Sequence, residues 1–261
     1  MSDDVTLYMF SGSAPSLTAR LMLEHKGLEH RCKHLLIGPH AFGMQPRGFD
    51  MMTVPALKIA GRPIQGSRVI SRALDEIRPN PPLFPTDPQR RAAVIEAERR
   101  GEELQDATRR LVLCAARRRP EVFHAVYGHA NRLMRPLQRL SRGVVVKLAS
   151  AGHHASDFAG EEDLAALPAR LDQIDAWIAE GLLDGGELNA ADFQIAPNIA
   201  LLLRFEDIAP HIDGRSAAQL ARRLVPDIGA PISAVLPEAW LASLHPASRA
   251  AAPSGHPHGE P

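Results

Sequence analysis

Two hydrophobic periods alternate along the first eighty residues. Val5-Thr6-Leu7-Tyr8-Met9-Phe10 is a run of β-formers and predicts a strand. The turn Ser11-Gly12-Ser13-Ala14-Pro15 follows, with Pro15 placed for the first turn of a helix. Leu17, Leu21 and Leu28 then fall on one helical stripe with Met22 beside it, and Lys26-Gly27 stops the helix. Residues 30–37 read as a second strand, and a loop with several Gly and Pro runs over 38–52. Two short apolar strands come next, turned at Ala60-Gly61-Arg62, and a helix is predicted over 67–77.

The order is therefore β-α-β, loop, β-β-α. The first half requires parallel strands with a right-handed crossover, and the second is a hairpin. This is a thioredoxin-like arrangement, a small mixed sheet with helices on its faces, assigned to residues 1–79. From Arg78 to Pro88 the chain carries five prolines and cannot be helical, which places a stiff linker at 80–88. Beyond it the pattern turns helical. Leu104, Thr108 and Leu111 share a stripe, as do Leu133, Leu137, Leu140 and Val144, and Leu164, Leu167, Leu171, Ile174 and Ile178. Val144-Val145-Val146 reads as the end of a helix, with a β reading as the alternative. Residues 89–245 form an all-α domain, and the Ala-, Pro-, Gly-, His- and Ser-rich stretch 246–261 is expected to be a disordered tail.

Charge and composition then remove function classes. The chain has 261 residues and a formal net charge of zero, so nothing overall favours nucleic acid or a membrane surface. No apolar run reaches the roughly 18 residues that span a bilayer. The acidic start Met1-Ser2-Asp3-Asp4 is unlike a signal peptide. Cys32 and Cys114 stand far apart, match no metal or CxxC spacing, and fit a reducing cytoplasm as buried apolar thiols. His124 and His129 do not share a metal-binding helical face, and His256 and His258 lie in the tail. No metal is expected.

Four local patterns carry a resemblance. Leu7-Tyr8 is followed by Ser13-Ala14-Pro15-Ser16-Leu17-Thr18-Ala19-Arg20. Val54-Pro55 precedes a short strand. Ser67-Arg68-Val69-Ile70 opens a helix. Asn189-Ala190-Ala191-Asp192 precedes an apolar helical run. In this order, and with a proline linker between an α/β and an all-α domain, they resemble the cytosolic glutathione transferases. The fourth pattern also has a plain physical reading. Asn189 and Asp192 form a capping box that satisfies the donors of a buried helix end, which makes them folding residues.

The resemblance implies glutathione as co-substrate, a small-molecule electrophile, a homodimer and a cytoplasmic setting. It implies a cis Val54-Pro55 bond that turns the Val54 N–H and C=O toward the tripeptide backbone, with Ser67 holding the γ-glutamyl carboxylate at a helix N-terminus. Ser13 falls at the position of the family's catalytic serine or cysteine, with Ser11 and Ser16 as near alternatives. A free thiol has a pKa of about 8.5, so the protein's task is to lower it, here by a donated hydrogen bond and a helix N-terminus. An ordinary helix cap is the competing reading of Ser13. Tyr8 falls one residue before the tyrosine that some classes use, which reverses its facing and makes it a core or sheet-face residue. The chain departs from the family pattern at Gly66, where an acidic or amide residue usually meets the ligand ammonium. Gln65 is one residue early, and either Gln65 turns in or Arg68 marks a different anion.

Residues 107–147 hold ten Lys or Arg and one acid, whereas residues 157–192 hold ten Asp or Glu and one base. Mutually attracting or solvated helical faces explain this most simply, with an anion-attracting cleft or a dimer interface as alternatives. Two functions stay open. One is a glutathione-dependent enzyme, in which a transferase cannot be told from an isomerase or a dehalogenase. The other is a non-catalytic binding or interaction protein that has kept the fold and lost the thiol site.

Overall fold

A computed structural model describes residues 4–128 and 135–244. The N-terminal sheet has four strands: β1 (Val5–Met9), β2 (Arg31–His34), β3 (Ala56–Ile59) and β4 (Arg62–Gln65). Their order is β2-β1-β3-β4; β1 pairs parallel with β2, and the other neighbours are antiparallel. Helix α1 (Ala14–His25) makes the crossover and α3 (Ser67–Ile77) follows the hairpin, as the periodicity predicts. The second strand is shorter than expected. The loop after it contains a five-residue helix, α2 (His40–Met44), which its Gly and Pro content conceals.

The core explains these bounds. Leu7 and Leu57 are cross-strand partners and both fully buried. Helix α1 buries Thr18, Ala19, Met22 and Leu23, while Leu17, Leu21 and Leu28 of the expected stripe lie at the margin of the core. Gly27 stops the helix with φ +61°, a conformation glycine adopts without a Cβ penalty. Lys26 beside it is 1% exposed, and its three donors are all used. Nζ donates to Asp75 Oδ1 and the Arg78 carbonyl at 2.8 Å each, and to the Pro81 carbonyl at 2.6 Å. A buried ammonium is tolerable only when paired and fully bonded, and here it ties α1 to the proline segment.

The helices that follow are α4 (Pro88–Arg118), α5 (Glu121–Tyr127), α6 (Arg135–Gly152), α7 (Asp157–Ala179), α8 (Ala190–Leu202), α9 (Ala209–Ile212), α10 (Ser216–Leu224) and α11 (Glu238–Leu241). Helix α8 is buried along its whole length and packs against α1, α4 and α10, so one hydrophobic core runs through both parts of the chain. Leu104, Thr108 and Leu111 are buried, as are Leu164, Leu167, Leu171 and Ile174, while Ile178 is only partly covered. Val144-Val145-Val146 lies inside α6 and not at its end. Val146 is the buried member; Val144, placed on the apolar stripe by its spacing, faces solvent instead. Leu133, His129 and the tail, with His256 and His258, lie outside the described residues.

Much of the charge separation is neutralised within the chain. Arg110 forks onto Asp163 with Nε–Oδ2 2.6 Å and Nη2–Oδ1 2.8 Å. Arg117 and Arg118 both meet Asp157, and Arg215 meets Asp172 and Asp175. The basic end of α4 and the acidic α7 therefore attract each other. Arg68 is likewise taken by Glu98 and Glu102 of α4, which removes it as a free anion receptor.

The capping box at α8 forms. Asn189 Oδ1 accepts from the Ala191 N–H at 2.9 Å. Asp192 accepts from the Asn189 N–H at 2.9 Å and the Asp184 N–H at 2.7 Å. Burial pushes the Asp192 carboxyl up to about 7, opposed by its bond from Asn189. A raised folded-state value means that this group's contribution is fully present below its unfolded pKa of about 3.9 and is lost as pH rises through 7. Asp192→Asn removes the titration and leaves one N–H without an acceptor. It is expected to cost about 1–3 kcal/mol. Urea unfolding at pH 5 and pH 8 should show wild type losing more stability across that interval than the variant.

Candidate functional site

The strand register assembles the site. Tyr8 pairs with Ala56, and Ala56 pairs with Gln65. The exit of β1, the entry of β3 and the exit of β4 therefore lie side by side at one end of the sheet. The chain leaves or enters that end through Ser11–Ser13, Val54-Pro55 and Gly66-Ser67, so three separate stretches of sequence meet there.

Val54-Pro55 is a cis peptide bond. Pro55 is buried and Val54 is half-buried. Neither the N–H nor the C=O of Val54 has a hydrogen-bond partner among the described residues. A second cis bond, Asn80-Pro81, belongs to the segment that receives Lys26.

The three serines of the β1–α1 turn differ in what they can do. Ser16 is fully buried, and its oxygen accepts from the Phe10 N–H at 3.3 Å. Ser11 Oγ lies 2.8 Å from His34 Nδ1. Ser13 occupies the N-cap position of α1 with extended backbone (φ −80°, ψ 118°), yet its hydroxyl makes no capping bond. No other partner for that hydroxyl exists among the described residues, although the residue is only 8% exposed. The cap reading of Ser13 is therefore not what the geometry shows. No acidic residue occupies the first turn of α1, so the positive end of the helix is uncompensated there.

Ser67 opens α3 and is buried, with no hydrogen bond to its hydroxyl among the described residues. Gly66 is the N-cap of this helix, but its N–H donates to the Pro55 carbonyl at 3.0 Å and is not available to a ligand. The amides that remain are those of the first turn of α3 itself. Gly66 has φ +87° and ψ 138°, which a residue with a side chain rarely adopts, and the space a Cβ would enter is open to 4 Å. No other side chain fills it.

Gln65 does not turn toward that space. Its carboxamide accepts from the Met51 N–H at 2.9 Å and donates to the Met51 and Thr53 carbonyls at 2.8 and 3.1 Å. It pins the loop that leads into Val54 and holds the backbone bend beside the site. Gln65→Ala should loosen that bend. The expected result is faster amide exchange at Met51, whose N–H loses its acceptor, with the sheet unchanged. Hydrogen exchange on the full chain checks it.

Two features escaped the sequence. One is the Ser11–His34 contact, which joins residues 23 positions apart across β1 and β2. The other is Gly12. Its φ is +71°, and a Cβ there would lie 1.7 Å from the Val126 carbonyl oxygen of α5. The helical part thus reaches over the serine turn, bringing Tyr127 and Phe123, whose rings are 5.0 Å apart, into the same neighbourhood. Burial pushes the Tyr127 hydroxyl up and keeps it a neutral donor. Tyr8 is buried in a small cluster with Met44, Phe49 and Ala56, its ring edge-on to Phe49 at 5.5 Å. Burial raises the thiols of Cys32 and Cys114, so neither is an activated nucleophile.

Residues 7–82 match the family model of the glutathione S-transferase N-terminal domain. Maleylacetoacetate isomerase from Rattus norvegicus is 37% identical over 92 residues, covering 34% of this chain and 43% of that protein. A probable maleylacetoacetate isomerase of Drosophila melanogaster is 36% identical over 95 residues. The chain thus spans less than half the length of the curated relatives it matches. Among solved structures, rice GST1 in complex with glutathione superposes with a TM-score of 0.57 at 18% identity, covering 88% of this chain and 92% of that one. A glutathione S-transferase from Methylobacterium radiotolerans, in complex with glutathione sulfonate, gives 0.56 at 20% identity, with 90% and 99% covered. Four mixed strands with helices, followed by a helical domain, are the fold of the cytosolic glutathione transferases. Residues 7–82 are thus similar to the N-terminal domain of the glutathione S-transferases, and the chain as a whole shares the two-part fold of the solved glutathione transferase structures.

Proposed function

We propose that the protein binds glutathione in the groove between the serine turn and Val54-Pro55 and uses its thiolate on a small electrophile. The observation that carries this reading is the Ser13 hydroxyl, nearly buried, at an uncompensated helix N-terminus and without a partner of its own. A hydroxyl in that state donates to an arriving sulfur at no cost in existing bonds. Val54 offers an unpaired N–H and C=O to the cysteinyl backbone, and Ser67 with the first turn of α3 offers donors to the γ-glutamyl carboxylate. The ligand ammonium has no partner from Gly66 or Gln65, so affinity should fall below that of a site with a carboxylate there, by about tenfold or more.

Within thiolate chemistry, isomerisation is favoured over conjugation by the relatives of the N-terminal segment, which are named maleylacetoacetate isomerases. In such a reaction the thiolate adds to a carbon–carbon double bond, the resulting single bond rotates, and the thiolate is expelled, so glutathione is returned unchanged. The non-catalytic reading rests on Gly66. The homodimer and the cytoplasmic setting remain part of the proposal.

Retention on glutathione-agarose tests the groove, and two assays test the chemistry: conjugation of 1-chloro-2,4-dinitrobenzene and isomerisation of maleylacetoacetate. Turnover in either assay that falls in Ser13→Ala supports the enzyme. No retention, with wild type and Ser13→Ala equally inactive in both, leaves the binding-protein reading in its place.

A further inference from the structure

Helix α6 carries a mixed stripe in which only Val146 and Ser150 are buried. Gly143, Val146, Lys147, Ser150 and Ala151 follow the i, i+3, i+4, i+7, i+8 spacing that normally faces a core. They line an open cavity of about 720 Å³, bounded on its other side by the end of α4 and by the loop between α6 and α7. That volume lies within the range of small-molecule sites. The cavity shares no lining residue with the tripeptide groove.

Its polar groups are of one kind. Lys147, Arg117 and His154 line it, and no carboxylate does. Ser150 is 8% exposed, and its hydroxyl is sealed from solvent with no hydrogen-bond partner. An unpartnered buried hydroxyl costs roughly 1–3 kcal/mol unless something meets it. Arg117 is oriented by donating to the Ala155 carbonyl at 2.8 Å, with Asp157 Oδ1 3.6 Å away; Asp157 is held more closely by Arg118, at 2.8 Å. The guanidinium keeps further N–H groups for another acceptor. Lys147 has no ion pair among the described residues. The Ser156 oxygen caps α7 by accepting from the Ala159 N–H at 3.1 Å, which leaves its own proton to donate at the positive end of a 23-residue helix. His154 is held at φ +52°, a conformation non-glycine residues seldom adopt, on the rim of the cavity.

We infer that this cavity is a second binding site, for a small apolar molecule bearing a phosphate monoester. A phosphate monoester presents nearly two negative charges and three acceptor oxygens. Arg117, Lys147 and the hydroxyls of Ser150 and Ser156 supply matching donors, and no acid in the lining opposes it. A carboxylate or sulfonate would leave one cation uncompensated. The remaining wall, Ala116, Pro120, Val146, Ala151 and Ala155, is apolar and takes the body of the ligand. The inference is independent of the glutathione reading.

The test is calorimetric titration of the full chain with 1-naphthyl phosphate at low salt, in the presence of saturating S-hexylglutathione. One site per chain is expected, with 1-naphthol and naphthalene-1-sulfonate each binding about tenfold more weakly or worse. Lys147→Glu should weaken binding at least about tenfold, and Ser150→Ala about threefold to tenfold. Ala151→Trp, at an exposed position that tolerates a large side chain, should abolish binding while Tm and glutathione retention stay unchanged. The inference is overturned by absence of binding, by equal binding of the sulfonate, by displacement with S-hexylglutathione, or by affinities that Lys147→Glu and Ala151→Trp leave unaltered.

Discussion

Ser13→Ala should lower kcat/KM for the thiol reaction by about tenfold to a hundredfold, because a hydrogen bond to an ionised group contributes roughly 1.5–3 kcal/mol. The loss should depend on pH. Without the hydroxyl the bound thiol returns toward its ordinary pKa of about 8.5, so the deficit is greatest near pH 6.5 and shrinks by pH 9. Folding should be nearly untouched, since the Ser13 hydroxyl makes no capping bond and the substitution strands no donor. That separates it from its neighbours. Ser16→Ala orphans the Phe10 N–H and should act on stability, while Ser11→Ala breaks the contact with His34 and should be mild. A pH–rate profile and a melting curve for the three variants decide the matter. Unchanged rates in Ser13→Ala, or a rate deficit independent of pH, would remove the serine from the chemistry.

How far this site can be read before folding depends on the range of the interactions that build it. Several features set by neighbours in sequence were legible. The α1 stop at Lys26-Gly27, the hairpin turn at Ala60-Gly61 and the capping box at Asn189 and Asp192 are each fixed within a few residues. The exposed side of a helix was less legible. Val144 obeys the apolar spacing and is nevertheless out in solvent, because α6 turns Val146 and Ser150 inward instead. Contacts across the chain were not legible at all. Nothing in the Gln65-Gly66 dipeptide tells that the carboxamide will be consumed by Met51 and Thr53, or that the Gly66 N–H will go to Pro55. The resemblance offered Gln65 as a ligand contact, and the fold spends it on the loop before Val54.

The same distinction shows in the charges. The blocks at 107–147 and 157–192 read first as mutually attracting or solvated faces, with an anion-attracting cleft or a dimer interface as alternatives. Pairing of Arg110 with Asp163, and of Arg117 and Arg118 with Asp157, joins three bases of one block to two acids of the other, as the first of these readings expects. Lys147 is a residue this pairing leaves over, and that is why a separate anion site on α6 stands out once the rest is matched.

Gly12→Ala should be the most damaging single-methyl change in the serine turn. Its Cβ would sit 1.7 Å from the Val126 oxygen and 2.8 Å from the Val126 carbonyl carbon, both backbone atoms that no rotamer change can move aside. The left-handed φ of +71° adds a penalty of about 1 kcal/mol for any residue with a side chain. Either the turn or α5 must shift. Overpacking of this kind costs about 1–3 kcal/mol, so with the backbone term the total is expected near 2–4 kcal/mol. On the proposed role of Ser13, activity should fall further than stability implies, because a displaced turn carries that hydroxyl with it, and an error of about 1 Å in a reacting geometry can cost a hundredfold. Gly48→Ala is the matched control: its φ is +86°, but nothing lies within 4 Å of the added carbon. It should show the backbone penalty alone and keep the rate. Urea melts with initial rates on both variants test the argument. If Gly12→Ala were no worse than Gly48→Ala in both measurements, the close seat of α5 on the serine turn would not exist in solution, and the overhang that brings Tyr127 toward the groove would go with it.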